Sequence, residues 1–383
     1  MLLYMIIGFV VSMLFTFFLM PHVLRFCKEK HLYDMPNARK IHHCAIPRLG
    51  GTLFMPAMLV GMIPSLMTYI FVSSESKLMQ ISSFVLIAGV FIIYIIGVID
   101  DIIGVRASRK FLVQTIAACF FPACGLYLNN LYGLFGIYAI PAFVSYPLTV
   151  FLVLVVVNAV NLIDGIDGLA SGLCFLIIGV FAWLFWKIAP LVYSIMACTL
   201  MGTLASFFYY NVFGKVEKGT KTFMGDSGSL ILGYAIAYLA LKFAMYNPNV
   251  LPYRGDALLW SYTILIIPTF DLARVAFGRI ARHKSVFDAD KTHIHHLIMA
   301  AGLSQHQALI TILSLFGVFC FVNAALYESG MAFTPIVFID IAMYVMFFVV
   351  LHMKKTRKRL KRTVKTCKTR CLAPQKQAKN MSL

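Results

Sequence analysis

Asn158, Asn161, Asp164 and Asp167 recur at every third position of N-A-V-N-L-I-D-G-I-D-G-L-A-S-G, residues 158–172, between two uncharged apolar runs. On a tight helical turn this spacing projects all four side chains from one side. Gly165 and Gly168 each follow an aspartate and remove side chains that would hold a bulky anionic ligand off the backbone. A charged side chain at membrane depth costs roughly 2.5–3.5 kcal/mol on insertion scales, so acids kept between apolar spans usually mark function. A polar turn made of Asn, Asp and Gly explains the composition but not the period.

Four further constellations carry the same kind of chemistry. Asp100 and Asp101 close an apolar run and are followed by Arg106, Arg109 and Lys110. Adjacent carboxylates at a helix C-terminus repel each other and oppose the macrodipole. A divalent cation, or a phosphate-bearing partner that needs a base, would compensate; a solvated terminus paired with the arginines is the plainer reading. In F-M-G-D-S-G, residues 223–228, Asp226 stands at the lip of the next span. Mg²⁺ takes one or two carboxylates plus phosphates and waters, so one placed aspartate suffices, although Asp and Ser are also common helix caps. The loop 34–51 offers Arg39, Lys40, His42 and Arg48 as an anion-binding surface, or as ordinary charge facing lipid head groups. His293, His295 and His296 form H-I-H-H. A helix turns His293 and His295 to different faces and the nearby Arg and Lys repel a metal, so phosphate contact is preferred to zinc.

The elements that must position these groups are membrane helices. The chain has 383 residues, 61% hydrophobic and 13% charged, with a mean hydropathy of +0.85. Soluble domains run about 45–50% apolar and about 25% charged, so this is an integral membrane protein. Apolar runs near 2–24, 51–72, 81–99, 111–128, 139–157, 169–186, 189–210, 228–246, 258–280, 307–326 and 333–352 predict eleven helices. The expected fold is an all-α, polytopic bundle over residues 1–352, with no barrel-type alternation. The first run lacks a basic leader and is read as a span, not a signal peptide. Placing the C-terminus in the cytoplasm leaves only Lys77, Lys187 and Arg254 as basic loop residues outside. The N-terminus is then external, and every candidate acid and histidine falls on the cytoplasmic face. Of the net charge of +18, residues 353–383 supply twelve basic side chains and no acid, and the remainder carries +6. That tail is expected to be disordered and held to anionic lipid; without interleaved aromatics it does not predict nucleic-acid binding. Nine scattered cysteines with no C-x-x-C pair read as reduced, buried side chains.

A membrane bundle that gathers five motif carboxylates with Arg, Lys and His on one face suits phosphoryl transfer between a lipid and a soluble reactant. No G-x-x-x-x-G-K-[ST] loop is present, which argues against an ATP-driven pump. In their order, P-x-x-R-K-x-H-x-x-x-x-P-x-x-G-G, Asp100-Asp101, N-A-V-N-L-I-D-G-I-D-G-L-A, F-M-G-D-S-G-S and H-I-H-H resemble the polyprenyl-phosphate N-acetylhexosamine-1-phosphate transferases. These are the WecA and TagO group, related to MraY, and the likeness covers about residues 30–300.

The resemblance implies transfer of a sugar 1-phosphate from a UDP-N-acetylhexosamine to undecaprenyl phosphate, releasing UMP. It implies Mg²⁺, with Mn²⁺ as a substitute, in a bacterial plasma membrane, with a homodimer as the assembly. By motif position Asp226 would bind the metal, with Asp100 and Asp101 engaging the lipid phosphate and touching the metal. Asn161, Asp164, Asp167 and Phe223, together with Asn211, would shape the uridine pocket. His293, His295 and His296 would hold the diphosphate, and Arg39, Lys40 and Lys110 would contact phosphate. The segment 211–222 lacks the family's short Pro-Ala linker, and the basic tail lies outside the family pattern. H-I-H-H and I-P-R-L-G-G favour this group over a muramyl-pentapeptide transferase of the MraY type. An ion-coupled transporter is the rival from another class; it requires midplane acids and related halves, and neither is present in the sequence.

Overall fold

The helix Gly225–Ala244 is buried along its whole apolar window, against 22% for Leu2–Glu29. It is the axis of the bundle, and the elements before and after it wrap around it. The computed structural model describes residues 1–34, 45–73, 81–188, 191–247, 253–285 and 292–379.

α1 (Leu2–Glu29) leads to a short ladder of β1 (Tyr33–Asp34) with β2 (Ile46–Pro47), then a 3-10 turn at Gly50–Leu53. α2 (Phe54–Ser73), α3 (Ile81–Ile103) and α4 (Ala107–Ala123) precede a hairpin of β3 (Asn130–Leu134) and β4 (Ile137–Ala139). α5 (Ala142–Ile163), α6 (Leu169–Ile188) and α7 (Leu191–Phe208), with a π turn at Tyr209–Phe213, lead to the central α8 (Gly225–Ala244). α9 (Ala257–Ile280), the short α10 (Ile294–Ala300), α11 (Gln305–Glu328) and α12 (Phe333–Lys379) complete the chain. Among the described residues nine helices are long and apolar enough to cross a membrane. The protein is a helical, multi-pass membrane protein. The remaining two expected runs coincide with α3 and with α4, which has 17 residues.

Helices pack in lipid through small residues that let backbones approach. Gly233 of α8 lies against α5, where an added Cβ would stand 2.7 Å from Val157 Cα. Gly97 of α3 lies against the start of α8, with the corresponding distance to Ser227 Cα 2.5 Å. These two contacts bring the acid-bearing ends of α3 and α5 to the N-terminus of α8. Hydrogen bonds fix the opposite end: Tyr132 Oη of β3 donates to Ala244 O (2.9 Å), and Asn129 exchanges bonds with the backbone of Tyr246 (2.7 and 2.9 Å). Deep between α9, α11 and α12, Asn323 Nδ2 donates to Thr263 Oγ1 (2.8 Å) and to Asp340 (3.0 Å), an acid with no exposed surface.

Two expectations change. The two short β ladders were not foreseen: each has strands of two to five residues, too short for an alternating pattern to register. The helix expected over 111–128 starts at Ala107 and stops at Ala123, where Gly125 takes a φ of +73°. α12 runs on into the basic segment as far as Lys379, in keeping with the high helix propensity of Lys, Arg, Gln, Leu and Ala.

Gly233→Ala must push α5 and α8 apart, an overpacking that costs about 1–3 kcal/mol. A lowered thermal midpoint in detergent is expected, while Gly317→Ala, whose Cβ meets nothing within 4 Å, leaves it unchanged.

Candidate active site

The first N–H groups of a helix have no partner within it and carry positive charge outward. At the start of α8, Asp101 of α3 supplies the acceptors: Asp226 N–H donates to Oδ1 (2.9 Å) and Ser227 N–H to Oδ2 (3.0 Å). Asp101 is only 3% exposed, and these bonds are what make a buried carboxylate tenable. They also fix Asp226, in the first turn. Asn161 of α5 donates from Nδ2 to Asp226 Oδ1 and to Ser229 Oγ (2.8 Å). Lys110 of α4 places Nζ 2.8 Å from Asp226 and 3.1 Å from Asp100, while Asp100 also accepts from Val105 N–H (2.6 Å). One ammonium thus bridges Asp100 and Asp226, the cation that lets two neighbouring carboxylates stand together.

The turn after α5 forms the second wall. Asp164 opens into the cleft. Dense surrounding protein, then Asp226, Asp167 and Asp101, push its carboxyl up to about 7, a shift that water in the cleft opposes. Asp167 pairs with Lys221 (2.6 Å), and Lys221 also donates to Asn211 O (2.7 Å). Asn211 has both ends of its amide engaged: it accepts from Gly168 N–H (2.7 Å) and donates to Thr222 O (2.8 Å). It therefore clasps the acidic turn to the segment before α8. The glycines of this turn make room for protein groups. The place of a Gly165 Cβ is taken by the His295 ring, and Gly168, at φ +78°, faces Val212 and Phe208. Nor does the three-residue period hold throughout, since Asn158 turns away to donate to Gln114 on α4 (2.8 Å).

The histidines divide. Asp271 of α9 is 2% exposed and accepts from His293 Nδ1 (2.9 Å), Ile294 N–H (3.0 Å) and Arg274 Nη2 (2.6 Å). It thereby anchors the start of α10. His295 is 1% exposed and, among the described residues, has no hydrogen-bond partner at either ring nitrogen. Burial, then His296 and His293, hold its imidazole down to about 3, so it packs on Gly165 as a neutral ring. His296 faces the cleft.

That cleft encloses about 490 Å³ and is lined by Asp101, Asn161, Asp164, Asp167, Asn211, Phe223, Asp226 and His296, with Arg48 and Ser229. Arg48 donates to Asp100 O (3.3 Å). Asp100, Lys110, His293 and His295 are not part of its lining, Lys110 and Asp100 standing behind Asp226, and Arg39 and Lys40 lie outside the described residues. Among the described residues no three His, Cys, Asp or Glu converge as a preformed metal cage. Sequence reasoning missed Lys221 and the anchoring part of Asp271. The available signals were a lysine two residues before F-M-G-D and a lone acid inside an apolar span.

A folded-state carboxyl raised towards 7 binds a proton that the unfolded chain releases near 4, so its contribution to stability is lost as pH rises through about 7. In chelator, the thermal midpoint of Asp164→Asn is expected to match wild type below about pH 4, to rise above it between about pH 4 and 7, and to keep a constant margin at higher pH. Parallel curves for the two proteins would remove Asp164 as the titrating group.

Comparison with known proteins agrees with this geometry. The model of glycosyl transferase family 4 matches residues 83–244, which hold the Asp100–Asp101 pair, the acidic turn and Asp226. A probable undecaprenyl-phosphate N-acetylglucosaminyl 1-phosphate transferase of Bacillus subtilis (strain 168) is 29% identical over 91% of this chain and 90% of its own. Undecaprenyl-phosphate alpha-N-acetylglucosaminyl 1-phosphate transferases are similar as well. That of Pasteurella multocida (strain Pm70) is 31% identical over 80% of this chain and 82% of its own, and that of Escherichia coli (strain K12) 27% over 79% and 78%. With likeness of that extent running through all the cleft-forming helices, the chain belongs to glycosyl transferase family 4, together with the undecaprenyl-phosphate N-acetylglucosaminyl 1-phosphate transferases.

Proposed function

We propose that the protein transfers an N-acetylhexosamine 1-phosphate, N-acetylglucosamine 1-phosphate by kinship, from its UDP-sugar to undecaprenyl phosphate. An oxygen of the lipid phosphate bonds to the sugar-bearing phosphorus, the bridge to the nucleotide phosphate breaks, and UMP leaves. The observation that carries this reading is the meeting of α3, α5 and α8 acids in one cleft at the end of a fully buried helix.

A cleft with Asp101, Asp164, Asp167 and Asp226 in its walls repels a diphosphate unless a cation comes with it. Asp226 in the cleft wall, with Asp100 across the Lys110 ammonium from it, fits Mg²⁺, which takes one or two carboxylates and leaves its other positions to phosphates and water. Bound there, Mg²⁺ (or Mn²⁺) would draw charge from the diphosphate. Lys110, now balancing both carboxylates, is placed to follow that charge to a phosphate oxygen. Asp100 is the residue best placed to take a proton from the lipid phosphate, because Asp101 is committed to the helix start. His296 and Arg48 offer donors to the diphosphate, while Phe223, Asp164 and Asp167 offer a ring face and acceptors for the uridine. Asn161 orients Asp226, and Asn211 orients the acidic turn.

An apolar cavity of about 420 Å³ between α5, α8 and α9 suits an isoprenoid chain. The charge bias of the loops supports eleven spans, an external N-terminus and a cleft on the cytoplasmic face of a bacterial plasma membrane.

Purified protein given labelled UDP-N-acetylglucosamine, undecaprenyl phosphate and Mg²⁺ is expected to yield a lipid-linked sugar and UMP, and chelator stops both. Asp226→Asn is expected to lower turnover by about 10²–10³-fold, the usual loss of a transition-state charge contact, with the elution profile of a folded protein retained. Turnover by only the muramyl-pentapeptide donor, or none by any UDP-sugar, would overturn the assignment, as would an Asp226→Asn protein as active as wild type.

A further inference from the structure

On the far side of α10 from the cleft lies a second cavity, a groove of about 830 Å³ between α9 and α12. One wall is the α9 stripe Phe270, Ala273, Arg274 and Phe277, at helical spacing; the other is the matching α12 stripe from Val337 through Val345 to Lys355. Leu297 of α10 closes it, one residue beyond the cleft-facing His296. The walls are apolar and one end carries Arg274 and Lys355 with His352 beside them, and among the described residues no acid lines the groove. Phe277 (72% exposed) and Val345 (55%) leave it open to the bilayer. A long apolar channel with a cationic end matches an amphiphile that bears an anion on hydrocarbon chains.

The cationic end is tied to the catalytic side of the molecule. Arg274 donates to Asp271 and to Thr292 O, the carbonyl just before His293, and its guanidinium lies 4.5 Å from the centre of the Phe348 ring on α12. Lys358 of α12 reaches Gly302, at the turn that ends α10. α10 is therefore held at its start by Arg274 through Asp271, and at its end by the basic stretch of α12.

We propose that the groove binds an anionic bilayer phospholipid, chains between α9 and α12 and phosphate against Arg274, His352 and Lys355, and that this lipid braces α10 and thereby His296. The inference rests on the transferase reading and on its cytoplasmic orientation, which puts the cationic end at the inner-leaflet head groups. The occupant is distinct from the acceptor lipid, because α10 and the Asp271–His293 pair stand between the groove and the cleft.

The test uses full-length protein in nanodiscs of phosphatidylcholine alone or mixed with phosphatidylglycerol, at saturating acceptor. A several-fold lower KM for the UDP-sugar is expected in the anionic bilayer, with kcat little changed, and native mass spectrometry is expected to retain one phosphatidylglycerol. Val345→Trp, which fills the groove from an exposed position, and Lys355→Gln should keep the phosphatidylcholine KM but lose both the shift and the retained lipid. A Lys361→Gln/Arg362→Gln protein, altered in the tail beyond the groove, should keep both. Equal KM in the two bilayers, a shift that survives Val345→Trp, or one abolished by the tail substitutions would overturn the proposal. Activity in neutral bilayers reads the transferase assignment separately.

Discussion

The carboxylate of Asp101 set on the first N–H groups of α8 is the contact from which the geometry of the cleft follows. Bonds to an ionised group are worth about 1.5–3 kcal/mol each, and they gain strength where water is excluded. Their larger effect is positional. They join the end of one span to the start of another and fix the backbone of Asp226, so the direction of the key acid is set before any ligand arrives. α8 can serve as the post because it is enclosed along its length, and Gly97 lets α3 come close enough for the bond to form.

Around this post the charges are only partly paired. Lys110 bridges Asp100 and Asp226, and Lys221 answers Asp167, but among the described residues Asp164 has no cationic partner, and it faces the open space. The described cleft thus holds more carboxylates than lysines. The histidine segment contributes shape as much as charge: Asp271 fastens His293, and the uncharged His295 ring fills the gap over Gly165, which leaves His296 turned inward.

The membrane character and the motif acids were legible because long apolar runs interrupted by carboxylates have few physical explanations. What the linear order could not supply was the partner of each polar group. Asn158 and Asn161 look equivalent in sequence, yet α5 turns one to Gln114 and the other to Asp226. Gly165 and Gly168 were read as openings for a ligand and instead accommodate His295, Val212 and Phe208, contacts made with residues far along the chain. Three histidines so close together suggested one task, but a helix start separates their directions. Lys221 follows Lys215 and Lys218, and only its place just before F-M-G-D set it apart until the bundle brought it to Asp167.

The Asn323–Asp340 bond has a bearing on how the protein is made. Asp340 sits within α12, with no exposed surface and its hydrogen bond on α11. An acid entering lipid without a partner is disfavoured, so the last segment gains a stable seat only after its predecessor has docked on α9 through Thr263. Membrane integration of the C-terminal end is thereby given an order, in which each arriving segment completes the solvation of the one before it.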